Sequence, residues 1–286
     1  MDLSKFAIFI ISHGRCDNIK TLKTLQSTDY KGKVYIVIDD QDATKDKYLS
    51  KYGSDCIVFN KKEIAKTTDQ GDNFNNLRTT THARNACFEI ATGLGLDNFL
   101  VFDDDYTSLR FRFDNDFEYI DGCKKIKSFN KVIYSAIKFL NETPLICFAF
   151  AQGGDFIGGK ENRYAKEIYP IRKIMNSFFC STKKPFKFFS RLNEDVNTYI
   201  TLGSKGTLFI TSSQCSIEQI QTQASKGGMT EAYLDNGTYV KSFYSVMYQP
   251  SSVKIIFLNT SNKRIHHSIS HGNTYPLIVS ESVKKT

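Results

Sequence analysis

The chain has 286 residues, 41% of them apolar, and a formal charge of +8, so it is long enough for a sizeable core and for an enzyme in one piece. A pI near 9.0 favours an anionic partner, nucleic acid or nucleotide among them, without choosing between the two. Seven cysteines without a CxxC pair argue against a disulfide framework or a zinc ribbon and fit a reducing cytoplasm. The run from Phe6 to Ile11 is too short for a signal-peptide core, and no window approaches the ~18 to 20 apolar residues of a membrane span. A soluble protein with no membrane partner is expected.

Taken in order, FAIFII (Phe6 to Ile11) predicts a buried strand that ends in Ser12, His13, Gly14 and Arg15, with Asp17 as N-cap of a helix to about Leu25. KVYIVI (Lys33 to Ile38) repeats the pattern and ends in Asp39, Asp40, Gln41 and Asp42, before a helix from Thr44 to Tyr52 and a strand from Cys56 to Phe59. Such alternation argues for parallel strands with helices on both faces. Lys61 to Thr81 reads as a long mobile loop. Thr81 to Leu94 predicts a helix with Ala83, Ala86, Cys87, Ile90 and Ala91 inward and Arg84 beside that face.

Phe99 to Phe102 then predicts a strand that delivers Asp103, Asp104 and Asp105 to its end. Ligands of open α/β sheets sit beyond the carboxyl ends of the strands. Three adjacent carboxylates repel one another unless a cation compensates, and hard oxygen ligands suit Mg²⁺ or Mn²⁺. An acidic triplet also describes an ordinary solvated turn, so its context has to decide.

Beyond it, Cys123 to Leu140 shows helical spacing, and Leu145 to Ala151 predicts a strand followed by Gly153-Gly154 and Gly158-Gly159. From Lys160 to Arg191, nine Lys or Arg stand against two Glu, interleaved with aromatic residues. Lys183, Lys184, Lys187 and Arg191 would there contact nucleic-acid phosphates while rings stack on bases; a core strand with solvated lysines fits the same stretch. Asn193-Glu194-Asp195 opens a helix ending at Gly203, where the acids would meet the positive end of the helix dipole. Thr207 to Thr211 predicts a strand, Gly227-Gly228 a glycine loop, and Thr238 to Tyr248 a helix capped by Asn236 and stopped by Pro250. Val253 to Leu258 is the last clear strand, ahead of Arg264, His266 and His267. No linker divides the chain, so one catalytic unit is expected, with 1–110 as nucleotide-binding half and 111–286 as acceptor-binding half.

In order and spacing, FIISHGR, VIDDQD, Arg84, LVFDDD, NED and a C-terminal histidine resemble the GT-A glycosyltransferases. The likeness is to those associated with hydroxymethylpyrimidine-forming dioxygenases, which include the base J glucosyltransferase and phage enzymes that decorate DNA bases. The resemblance implies a single Rossmann-like GT-A domain, a mixed α/β sheet with helices on both faces. It implies Mn²⁺ or Mg²⁺ held by Asp103, Asp105 and His266, with His267 as the alternative. A UDP-sugar would meet Ser12, His13, Gly14, Arg15, Asp39, Asp40, Arg84, Asp103 and Asp104. Asp195, or its neighbour Glu194, would deprotonate the acceptor, a hydroxymethylpyrimidine in double-stranded DNA, with inversion at the sugar. No obligate protein partner is implied, and the setting would be a cytoplasm, the host's if the chain is phage-encoded. Two other readings stay open: a GT-A enzyme acting on polysaccharide, lipid-linked sugar or protein, and a non-catalytic nucleic-acid or nucleotide-binding protein.

Overall fold

The six residues of the first strand, β1 (Phe6–Ile11), are all buried. An uninterrupted apolar run is what a strand needs when helices cover both of its faces. It is flanked in parallel by β2 (Lys33–Asp39) and β4 (Asn98–Asp103), with Ile8 opposite Val34 on one side and Leu100 on the other. The structure, a computed structural model, describes residues 3–168, 171–219, 237, 239–258, 264–275 and 281, with 122–123 by backbone only.

Beyond β2 lies β3 (Cys56–Phe59), again parallel. On the other side of β4 the sheet turns mixed. There β8 (Ser177–Ser181) runs antiparallel to β4 and to β7 (Cys147–Gln152), while β9 (Phe209–Gln219) runs parallel to β7. The hairpin of β5 (Tyr106–Phe113) and β6 (Tyr119–Lys125) closes that edge, and the nine strands stand in the order β3-β2-β1-β4-β8-β7-β9-β5-β6. Because β1, β2 and β4 are parallel, their carboxyl ends lie side by side.

Helices cover both faces, as the GT-A resemblance implies. One apolar cluster packs α1 (Lys20–Gln26), α2 (Lys45–Tyr52) and α5 (Phe129–Glu142) on the sheet through Leu25, Tyr48, Phe129 and Ile133. The other packs α3 (Lys61–Lys66), α4 (Thr81–Gly93) and α7 (Glu194–Ser204) through Ile64, Cys87 and Ile200. A short α6 (Arg163–Lys166) precedes β8. The described chain continues into α8 (Val240–Tyr248), a separate antiparallel ribbon of β10 (Val253–Leu258) and β11 (Arg264–Ile269), and α9 (His271–Thr274). Among the described residues no helix is long and apolar enough to cross a membrane.

Several boundaries differ from expectation. Helix α1 begins at Lys20 behind Ile19, while Asp17 faces solvent against Lys51. The stretch expected as one mobile loop starts with α3, capped by the Asn60 side chain accepting from Glu63 N, and its remainder is tied down by Ser190 N–H to Asp69 O and Arg191 N–H to Gln70 O. The helix expected from Cys123 starts at Phe129, because the residues before it belong to β6. Gly227, Gly228 and Asn236 lie outside the described residues.

Candidate active site

The carboxyl end of β1 carries Ser12 and, after Gly14 in the left-handed region (φ 69°), Arg15. The Arg15 backbone N–H donates to Tyr48 OH at 2.9 Å, and Tyr48 OH lies 2.8 Å from Ser12 Oγ. Ser12 Oγ donates in turn to Asp104 Oδ2 at 2.6 Å, so the Tyr48 proton is directed at Ser12. Arg15 Nη1 donates to Asp104 Oδ1 at 2.8 Å. Both oxygens of the buried Asp104 are thereby occupied. Thr21 of α1 fixes the same turn: its hydroxyl donates to Asp103 O at 2.6 Å and accepts from Tyr106 N at 3.0 Å.

Arg84 reaches the turn from the other face. It is buried, its guanidinium lies 4.5 Å from the Phe178 ring, and it bridges Asp103 (3.3 Å) and Glu194 (2.5 Å). Thr80 Oγ1 donates to Glu194 Oε1 at 2.5 Å. Thus NED, ninety residues downstream, meets DDD through one cation. Glu194 and Asp195 form the first turn of α7, where the dipole favours negative charge. Burial and the neighbouring Glu194 push Asp195 up to about 6, with Arg84 opposing. Both Ser190 (φ 79°) and Asn193 (φ 60°) adopt left-handed backbone, so the acids follow a strained turn.

At the end of β2, Asp39 accepts from His13 Nδ1 at 2.9 Å and faces Lys61 Nζ at 3.4 Å. Burial raises its pKa, but those two partners outweigh burial and leave it below the ordinary value; the same contact raises His13. Asp40 Oδ1 accepts from Lys61 N at 3.0 Å. Asp42, which the sequence reading left without a role, accepts from Gly14 N at 2.8 Å and shapes the loop that presents Arg15. Tyr48, Lys61 and Thr80 also went unanticipated. Of these only Thr80 carried a signal, being one helical turn before Arg84.

By the chemistry of their hard carboxylate oxygens, Asp103 and Asp105 would suit a dication. Burial raises Asp103, with Glu194 and Asp104 adding to it and Arg84 opposing. Burial pushes Asp105 up to about 7, with Asp103 and Asp104 adding to it and Arg15 opposing, and no side chain pairs with it among the described residues. A divalent ion would relieve that crowding. His266 does not join them: among the described residues no three His, Cys, Asp or Glu side chains converge on a metal position. His266 sits on the ribbon beside Lys241 and Arg264, where burial and both cations hold it below its ordinary pKa; His267 is similarly lowered, to about 4.

The expected phosphate contacts are not one surface. Lys184 Nζ donates to the carbonyls of Leu140, Thr143 and Leu145, closing the end of α5, and Lys183 pairs with Asp97, at the opposite end of β4 from the aspartates. Lys187 donates to Thr67 O. Arg191 is buried, donating to Asp72 Oδ2 at 2.7 Å and Tyr244 OH at 2.6 Å. Phe178, Phe179, Phe186 and Phe188 are core, so their rings are closed to bases. The core-strand reading describes β8 and the buried Phe186 and Phe188, while Lys160, Arg163, Lys166, Arg172, Lys183 and Lys187 are exposed and Tyr169 lies outside the described residues.

Among solved structures, a mannosyltransferase from Pyrobaculum calidifontis in complex with GDP-Man and Mn²⁺ is 9% identical, with a TM-score of 0.45 over 86% of this chain and 73% of that one. A glucosyl-3-phosphoglycerate synthase from Mycobacterium tuberculosis, with Mg²⁺ and UDP, is 9% identical, TM-score 0.46, over 93% and 88%. TarS (1–349) of S. aureus is 14% identical, TM-score 0.45, over 85% and 70%. Likeness this distant decides neither mechanism nor substrate. No curated protein matches the chain significantly. The family model described as TET-associated glycosyltransferase matches residues 6–228, a span that holds β1, Arg15, Arg84, the three aspartates and the NED helix, and the chain therefore belongs to the TET-associated glycosyltransferase family.

Proposed function

We propose that the chain moves a sugar from a UDP-sugar to the hydroxymethyl group of a modified pyrimidine in double-stranded DNA, with inversion at the anomeric carbon. The observation that carries this reading is the meeting of Arg15, Arg84, the three aspartates and the NED acids at one end of the sheet, within a glycosyltransferase family. The donor follows from the GT-A resemblance. The acceptor follows from the family's association with dioxygenases that make hydroxymethylpyrimidines.

Asp103 and Asp105 would hold Mn²⁺ or Mg²⁺, which when bound offsets the charge that develops on the departing diphosphate. Arg15 binds donor phosphate, its fork held in place by Asp104. Asp40, with one oxygen on the Lys61 backbone, offers the other to the uracil N–H. Glu194 orients Arg84. Asp195 is the base: a carboxylate raised to about 6 is ionised at neutral pH yet more basic than an exposed one, which suits removal of the acceptor's proton as attack develops. On this reading 1–110 form the nucleotide-binding half and 111–286 the acceptor-binding half.

Nucleosides from DNA containing hydroxymethylcytosine or hydroxymethyluracil, treated with a panel of nucleotide sugars and Mn²⁺, provide the test. Mass spectrometry should show one base gaining one glycosyl residue. Donor hydrolysis without gain on either base would overturn the DNA acceptor and leave a glycosyltransferase of another substrate class.

A further inference from the structure

The family match ends at residue 228, and the described chain beyond it has an unusual surface. Among the described residues 239–258 and 264–275 there is no Asp or Glu, although the chain has 30; they include Lys241, Lys254, Arg264 and three of the five histidines. Lys254, Ile255, Ile256 and Phe257 are exposed in succession along β10, and Arg264 and Ile265 are exposed on β11. Successive strand residues point to opposite faces, so both faces of this ribbon carry solvent-facing side chains. Tyr239 at the N-cap of α8 and Phe243 and Met247 within it form an exposed stripe at intervals of four. The whole assembly is anchored beside the acids. Asn193 Nδ2 donates to Ser245 Oγ at 2.7 Å, and the charge of Lys241 acts on both Asp195 and Glu194.

We infer that the β10–β11 ribbon, with the α8 stripe beside it, is the surface on which duplex DNA docks, the ribbon lying in the major groove. The inference rests on the DNA acceptor proposed above. B-DNA's major groove admits a two-stranded ribbon, and substituents on pyrimidine C5 project into that groove. A ribbon seated there brings the first turn of α7 to the side of the duplex on which the hydroxymethyl group lies. The charge selects the partner: a polyanion complements an acid-free surface, whereas a second copy of this chain would set the same cations against one another. Aromatic and aliphatic tips on such a ribbon can contact a base step or hold an extruded nucleotide. This surface offers exposed aromatic and aliphatic side chains, whereas the rings of Phe178, Phe179, Phe186 and Phe188 are buried.

The test pairs a charge variant, Lys254→Glu with Arg264→Glu, with an apolar variant, Phe257→Ser, and a charge-keeping control, Lys254→Arg. Fluorescence anisotropy on unmodified duplex, repeated across salt concentrations, reads docking. UDP-sugar hydrolysis without acceptor reads the catalytic centre and the fold. The charge variant should bind duplex at least about tenfold more weakly, with a salt slope reduced by about two, and Phe257→Ser should weaken binding several-fold. Hydrolysis should stay at the wild-type rate in all variants, and Lys254→Arg should bind as wild type. Unchanged duplex affinity in the charge variant, alongside normal base modification, overturns the docking surface and leaves the acceptor reading standing. Wild-type protein that binds duplex through the ribbon but modifies no base supports the surface and overturns the acceptor. A dimer that Phe257→Ser converts to monomer makes the ribbon an interface between copies and overturns the inference.

Discussion

Asp105 is held near the ends of two other carboxylates, with burial the largest cause of its rise to about 7. A carboxylate whose folded pKa lies above its unfolded value weakens the fold wherever it is ionised: its contribution is most favourable below the ordinary pKa and is lost as pH rises through about 7. Asp105→Asn removes the charge and keeps the shape. Without metal at pH 8, urea denaturation should find this variant more stable than wild type by about 1 to 3 kcal/mol, the upper part of that range being the full value of the shift less solvent screening. Sugar transfer by the same variant should fall by at least about a hundredfold, the scale expected when electrostatic stabilisation of a leaving group is lost. A variant that is less stable and equally active would mean that Asp105 is a structural residue. The opposition of stability and activity at one side chain distinguishes a ligand position from a solvated turn.

Lys184 makes the same kind of argument for an element. Its ammonium donates at 2.7, 2.7 and 3.1 Å to the carbonyls of Leu140 in the last turn of α5, Thr143 at its C-cap and Leu145 just beyond it. Lys184→Met should cost about 1 to 3 kcal/mol in thermal or urea denaturation, since charge-assisted hydrogen bonds are lost from a partly buried site, and duplex affinity should be unchanged. A fall in duplex affinity would return Lys184 to the acceptor surface. This is also where the sequence was ambiguous. Lysines between aromatic residues describe a nucleic-acid groove and a core strand equally, because composition does not say which way a ring points; β8 and its flanks resolved it by burying Phe178, Phe179, Phe186 and Phe188. The parallel strands β1, β2 and β4 were legible because uninterrupted apolar runs followed by polar turns have few other uses. The β5–β6 hairpin was not. Tyr106, directly after the aspartates, starts a new strand whose Arg110 and Arg112 break up the apolar pattern, and β6 carries Asp121, Lys124 and Lys125. Arg84 and Glu194 could each be named from their motifs, but no local pattern foretells a 2.5 Å contact between residues so far apart in the chain.

Across the whole molecule, three acids at the end of the sheet couple folding to pH and, on the proposed function, would couple it to metal. Asp195 rises to about 6 and Asp105 to about 7, each with burial as the first cause, and Asp103 is raised as well. All three shifts have one sign. Their contribution to stability is therefore largest near and below pH 4, and it declines as pH rises from about 4 to 7, the window in which the folded protein releases protons that the unfolded chain has already lost. On the proposed mechanism catalysis runs the other way, because Asp195 would act as base only when ionised: kcat/KM should rise about tenfold per pH unit below about 6 and level off above it. A dication held by Asp103 and Asp105 would compete with protons for the same oxygens, so its affinity should grow with pH. Thermal denaturation with and without Mn²⁺ should show little difference at pH 5 and an increase of several degrees at pH 8, a chain of this size gaining about 2 to 4 °C for each kcal/mol. The Asp105→Asn variant should lose most of that increase while Lys184→Met keeps it. Equal Mn²⁺ shifts at both pH values, or the same shift in Asp105→Asn, would place the cation elsewhere, and the arrangement of Arg84, Glu194 and Asp103 would then have to balance the leaving charge through the arginines alone.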